Sequence, residues 1–159
     1  MIAQAQVAYG HEALGAMATA LQQTTDYLKT RKQFGVPLMT FQALTFRAAD
    51  MYVSLELARS TVTWATLVLL DGDGDAAQAA QKVIEAASRA KLQVSKAGRH
   101  IGQEAIQLHG GIGMTAEYSV GHYMSRLTAI DHALGDGRFH LGALSATLDD
   151  HEVLEPLPE

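Results

Sequence analysis

The stretch Phe41–Leu69, FQALTFRAADMYVSLELARSTVTWATLVL, decides the fold. Phe41, Leu44, Ala48, Met51, Leu55, Ala58, Val62, Ala65 and Leu69 follow one another in alternating steps of three and four. That is the repeat of one face of an α-helix, and no strand pattern produces it. About thirty residues in this pattern make a rod of roughly 45 Å. Upstream, Val7, Leu14, Met17, Leu21 and Leu28 form a second stripe, predicting a helix to about Lys32 that stops at Gly35 with Pro37 just beyond. Downstream of the loop LDGDGDA, Val83, Ala87, Ala90, Val94, Ile101, Ala105 and Leu108 form a third stripe that ends at a cluster of glycines. Shorter helices are predicted around Tyr118 to Ile130 and from about Arg138 to Leu148. Three long helices with short connections, each with one apolar stripe, predict an all-α, antiparallel, up-and-down four-helix bundle over residues 1–159.

The chain has 159 residues, enough for one domain with a real core. Hydrophobic residues make up 48% and charged residues 18%, which excludes a disordered chain. The net charge is −5 and the basic residues are scattered, which argues against a nucleic-acid surface. With no cysteine there is neither disulfide nor thiolate chemistry. The apolar run near Trp64 to Leu70 is too short to span a bilayer. The opening MIAQAQVAYG is not a secretory leader, so a cytoplasmic location is expected. Helical periodicity starts almost at Met1 without a cap, suggesting a domain cut from a longer chain, its C-terminal part.

Asp71, Asp73 and Asp75 imitate the start of a calcium loop, but the sixth and twelfth positions hold Ala76 and Lys82. A lysine in place of the bidentate glutamate repels the ion, so this is an interhelical turn. The seven histidines show no ligand-like spacing, and no metal site is expected. The run from Lys29 to Gly35 places cations and a glycine at a helix end, as the helix dipole favours. It also offers Arg31 as a two-pronged donor for a phosphate or carboxylate. The stretch Gln107–Gly113, QLHGGIG, holds three glycines where one would stop a helix. Either it is a flexible turn, or bare backbone N–H groups approach an anionic cofactor there.

Together these pieces resemble the C-terminal helical domain of the acyl-CoA dehydrogenase family. Leu14-Gly15 and the segment from Asp26-Tyr27 to Arg31-Lys-Gln-Phe34-Gly35 resemble one family motif, followed by Phe41-Gln42 and Ala49-Asp50-Met51. Gln107 to Gly113, then Glu117-Tyr118, resembles another. The resemblance implies an FAD enzyme that removes the α-proton of an acyl-CoA thioester with a carboxylate while hydride leaves the β-carbon. It implies that Arg31 holds the FAD pyrophosphate of a neighbouring subunit, with Phe34 and Gln42 as further contacts. It also implies that Gln107, Leu108, His109, Gly110 and Gly111 surround the adenosine diphosphate part.

The chain departs from the family where the chemistry should lie. The family's Tyr-Glu-Gly-Thr aligns with Ala133-Leu134-Gly135-Asp136, so Leu134 occupies the base position. The alternative base position on the first helix is Ala5-Gln6. Asp136 replaces a threonine that bonds the subunit's own flavin. Two unit charges at about 4 Å and an effective dielectric near 20 repel by roughly 4 kcal/mol. Ser119, His122 and Met124-Ser125-Arg126 also differ from the family pattern. The resemblance thus implies a supporting subunit that completes a partner's flavin site, in a homo- or hetero-oligomer. Two other readings stay open: a displaced base at Asp136 or Asp131, and a non-enzymatic scaffold in which Arg31 and QLHGGIG are a helix cap and a turn.

Overall fold

The computed structural model describes residues 1–71, 76–115 and 118–148. Asp73, Asp75 and Glu117, from the motifs above, lie outside the described residues. The elements are α1 (Ile2–Thr30), β1 (Lys32–Gln33), β2 (Val36–Pro37), α2 (Gln42–Leu70), α3 (Ala76–His109), α4 (Val120–His132) and α5 (Gly137–Ser145). A 3₁₀ turn covers Leu38–Thr40 and another Gly110–Met114.

Side-chain pairs fix the directions of the helices. His11 on α1 meets Thr66 late on α2, at 2.8 Å. Arg47 early on α2 grips Glu104 late on α3 through two hydrogen bonds of 2.5 and 3.0 Å. Ser54 bonds His100 at 2.8 Å. Glu12 on α1 takes both prongs of Arg126 on α4, at 2.6 and 2.9 Å. The first two pairs join an early turn to a late one, so α1, α2 and α3 run antiparallel in sequence; Ser119 at the start of α4 bonds Gln23 late on α1, so with the Glu12 pair α4 runs against α1. α5 packs on α3.

The α1 stripe Val7, Leu14, Met17, Leu21 and Leu28 is buried throughout. On α2, Met51, Leu55, Ala58, Val62 and Ala65 are buried, and on α3 every stripe residue from Ala87 to Leu108. Two features correct the sequence reading. α1 ends at Thr30, and the next residues form a hairpin rather than another turn of helix. α2 also carries more than one apolar stripe, because Phe46, Val53, Leu57, Trp64 and Leu67 lie exposed on its other side. At 29 residues it is, by length and composition only, apolar enough to cross a bilayer, an 18-residue window of it reaching a mean hydropathy of 1.3. The uninterrupted run Trp64–Leu70 had concealed this, because hydropathy accumulates over a helix and not only over a run.

Lys91 is fully enclosed. Its ammonium donates to the carbonyls of Ile130 and Asp131 at the end of α4, where helix carbonyls lack partners and a cation complements the dipole. Burial pushes its pKa below the ordinary lysine value, against the pull of Asp131 and Asp136.

Candidate functional site

Arg31 follows the last turn of α1, its N–H bonded to the Tyr27 carbonyl at 2.8 Å and its carbonyl to the Leu38 N–H at 2.8 Å. Its guanidinium is exposed and makes no hydrogen bond or ion pair among the described residues. It lines a polar cavity of about 450 Å³ with Tyr27, Thr30, His109, Gly111, Ile112 and Tyr118. Tyr27, one helical turn before Arg31, stacks on His109 with ring centroids 4.5 Å apart. Tyr118 completes a three-ring cluster, tilted 59° to His109 at 5.2 Å and edge-on to Tyr27 at 6.0 Å. The i,i+4 spacing of Tyr27 and Arg31 was the signal that could have placed Tyr27 in the site. Nothing local points to Thr30 or Ile112.

His109 is 4% exposed. Its Nδ1 lies 2.7 Å from the Ala105 carbonyl. A carbonyl only accepts, so Nδ1 carries the proton and Nε2 bears the lone pair. Nε2 has no partner among the described residues. Burial lowers the His109 pKa, and the Ala105 carbonyl offsets only part of this.

The three glycines separate by physical role. Gly110 has φ +65°, the left-handed conformation of a residue just past a helix end. A Cβ on Gly113 would stand 2.9 Å from both the Ile106 carbonyl oxygen and the His109 Cβ, so packing requires this glycine. Gly111 has neither reason: its φ is not in the left-handed region and nothing lies within 4 Å of its missing Cβ. Of these three, Gly111 alone leaves backbone bare without a use inside the described structure.

The remaining expected contacts are dispersed. Phe34 sits at the tip of the β1–β2 hairpin with φ +53°, followed by Gly35 at +83°, and is 91% exposed. Two successive positive φ values suit a two-residue hairpin turn, and a phenylalanine there is costly. Its ring meets Phe41 edge-on at 6.2 Å, and the exposed Gln42 opens α2 next in sequence. Gln107 is exposed and Leu108 is buried in the core; neither lines the cavity. The expected open loop from Gln107 is in fact the last turn of α3 and a 3₁₀ turn. That is a correction with a chemical consequence. The end of a helix offers carbonyls and partial negative charge rather than N–H groups, so an anion here must be held by Arg31.

At the base position, Leu134 and Gly135 take φ +59° and +96°. The Leu134 carbonyl receives hydrogen bonds from Gln6 Nε2 at 3.0 Å and His140 Nε2 at 3.2 Å. Gln6 follows the alternative base position Ala5, so this bond brings the two base positions that the resemblance assigns, on α1 and between α4 and α5, close together, and neither is a carboxylate. Asp136 caps α5, accepting from the Phe139 N–H at 2.8 Å. Asp131 accepts from the Gly137 N–H at 3.2 Å and from Arg99 at 3.2 Å. Burial would raise its pKa, but the Ser95 hydroxyl, the Gly137 amide and Arg99 outweigh it and hold the carboxyl below its usual range. Ser95 stands near this carboxylate without a well-formed hydrogen bond.

A second cavity, of about 390 Å³, opens between α3 and α5 beside Gly137, with Lys96, Arg99 and Arg138 around Leu92 and Leu141. The like-charge argument from Asp136 is modified by the enclosed Lys91, whose charge interacts with that carboxylate. The altered segment after Tyr118 is rebuilt with matching partners: Ser119 Oγ donates to Gln23 at 2.9 Å, and Arg126 pairs with Glu12. Among the described residues no cluster of three or more metal-ligating side chains occurs.

Comparison with known proteins identifies the family of the domain. The family model for the acyl-CoA dehydrogenase C-terminal domain matches residues 2–148. Acyl-CoA dehydrogenase IpdE2 of Mycobacterium tuberculosis is 39% identical over 115 residues, covering 72% of this chain and 32% of that protein. Human mitochondrial short-chain specific acyl-CoA dehydrogenase is 35% identical over 127 residues, covering 79% and 29%. The solved Tcur3481-Tcur3483 steroid ACAD matches with a TM-score of 0.82 at 32% identity, covering 92% of this chain and 38% of that one. The chain spans about a third of the length of the curated relatives it matches. It belongs to the acyl-CoA dehydrogenase family, of whose C-terminal domain it has the fold.

Proposed function

We propose that this domain completes the flavin site of a neighbouring subunit in an acyl-CoA dehydrogenase-type oxidoreductase. The family comprises FAD flavoproteins acting on CH–CH groups. When bound, FAD supplies the hydride acceptor for α,β-dehydrogenation of an acyl-CoA thioester. The residues of this chain do the holding. Arg31 takes the phosphates with its fork of donors, and Gly111 leaves room for the ligand to lie against the main chain. His109, stacked on Tyr27 and flanked by the tilted ring of Tyr118, forms the wall.

The observation that carries this reading is the pairing, in one polar cavity, of a guanidinium without a partner among the described residues and a glycine that the fold itself does not require. The α-proton has no acceptor at Leu134 or Ala5, and Asp136 and Asp131 already hold backbone N–H groups. We therefore assign the base to the partner subunit. The relative named with two components, Tcur3481-Tcur3483, supports a mixed assembly.

The test is flavin content per protomer in the full-length assembly. Arg31→Ala should weaken FAD binding at least tenfold, about 1.4 kcal/mol, while the melting temperature of the flavin-free protein stays put, because Arg31 is exposed and unpaired. Normal flavin content in the variant refutes the Arg31 assignment. Stoichiometric flavin and acyl-CoA oxidation by this chain purified without a partner refutes the assignment of the base.

A further inference from the structure

α5 runs antiparallel to α3 and leaves a groove along it. A Cβ on Gly137, at the start of α5, would stand 3.0 Å from the Ser95 Cβ. Leu144 and Leu148 instead share a cavity with Arg89, more than a turn earlier on α3. That cavity, of about 320 Å³, meets the one beside Gly137, of about 390 Å³, at Leu141. Both fall in the ~300–1,000 Å³ range of small-molecule sites. Arg89, Leu92, Lys96 and Arg99 line the α3 side in steps of three, four and three, one helix face about 15 Å long. Its middle is apolar on both walls, with Leu92 on α3 facing Leu141 on α5.

The two ends of the groove differ in charge. At the far end Arg89 is engaged, ion-paired with Glu85 and 5.9 Å above the Trp64 ring. At the Gly137 end, Lys96 and Arg138 make no hydrogen bond or ion pair among the described residues. No carboxylate lines the cavity there, although the chain as a whole carries a net charge of −5. Ser95, 5% exposed, adds a hydroxyl without a well-formed hydrogen bond. We infer that this groove binds a medium-length fatty carboxylate, its head between Lys96 and Arg138 and its alkyl chain over Leu92, Leu141 and Leu144. The free cations at one end and the leucines beyond them fix the direction of such a ligand. The N-terminus of α5 does not make the site, because Asp131 and Asp136 already hold its Gly137 and Phe139 N–H groups. Those two carboxylates favour a singly charged head over a doubly charged phosphate. No residue of the groove lines the Arg31 cavity, so the inference does not depend on the flavin reading.

Calorimetric titration of the full-length protein with octanoate at pH 8 tests this. Octanoate should bind, and each methylene removed on the way to butanoate should weaken binding about fourfold. Octan-1-ol, which lacks the charge, should bind at least tenfold more weakly. The double variant Lys96→Ala/Arg138→Ala should lose at least tenfold in octanoate affinity, and Leu141→Ser should flatten the dependence on chain length. Both cations are exposed, so the melting temperature of the flavin-free double variant should match the parent. Its flavin content should match too, which separates this outcome from a failure of the Arg31 reading. The inference is overturned if octanoate does not bind. It is equally overturned if the double variant binds octanoate as the parent does, as it would at an acyl-CoA site elsewhere in the assembly. Displacement of octanoate by added FAD overturns it as well, as does tighter binding of octyl phosphate, doubly charged at this pH.

Discussion

The three glycines after α3 allow the cost of folding to be separated from the cost of binding. Gly113→Ala puts a methyl group 2.9 Å from the Ile106 carbonyl oxygen and the His109 Cβ. Both belong to α3, so the helix end must shift, at about 1–3 kcal/mol. Gly110→Ala places a Cβ on a residue with φ +65°, which costs about 1 kcal/mol. Gly111→Ala meets nothing within 4 Å and needs no unusual φ. Its stability should stay within about 0.5 kcal/mol of the parent, or rise slightly because the unfolded chain loses freedom. At roughly 2–4 °C per kcal/mol for a domain of this size, flavin-free melting should rank Gly113→Ala lowest, Gly110→Ala next, and Gly111→Ala level with the parent. Flavin retention by the assembly should break that order. The new methyl of Gly111→Ala enters the space given to the ligand, and FAD affinity should drop about tenfold or more. If Gly111→Ala keeps its flavin as the parent does, the glycine is not there for a ligand. If it melts as early as Gly113→Ala, the geometry itself is wrong.

Acidification gives a second expectation. His109 and His140 both have pKa values lowered first by burial, and each has one ring nitrogen without a partner. In the unfolded chain they take protons near pH 6.5; folded, they take them only at lower pH. The stability they leave intact above about pH 6.5 should therefore fall as pH drops through their folded pKa values. His109→Phe keeps a ring for Tyr27 and should flatten the melting-temperature slope of the flavin-free protein between pH 7 and 5; an unchanged slope excludes His109 as a source. For Asp136 the cap predicts that Asp136→Ala loses about 1 kcal/mol while Asp136→Asn, itself a good cap, loses little. Neither should change turnover by the assembly, and a specific loss of turnover in Asp136→Asn would restore the displaced-base reading.

The sequence by itself determined the helices, because the three-and-four spacing of Val7 to Leu28, of Phe41 to Leu69 and of Ala87 to Leu108 is a local property. It also singled out Arg31 and the Gln107–Gly113 segment as candidates, since cations and clustered glycines stand out wherever they fold. Only the tertiary structure decided which residues meet. It put His109 and Gly111 on the Arg31 cavity while turning Leu108 into the core and Gln107 to solvent, a matter of rotation by single residues about one helix. It joined Gln6 to Leu134 across 128 positions and enclosed Lys91, which composition alone places at the surface. It also exposed the second stripe of α2, since periodicity shows that a face is apolar but not whether anything covers it. Helix formation depends on neighbours within a few residues, whereas the site depends on the phase and register at which separate helices pack.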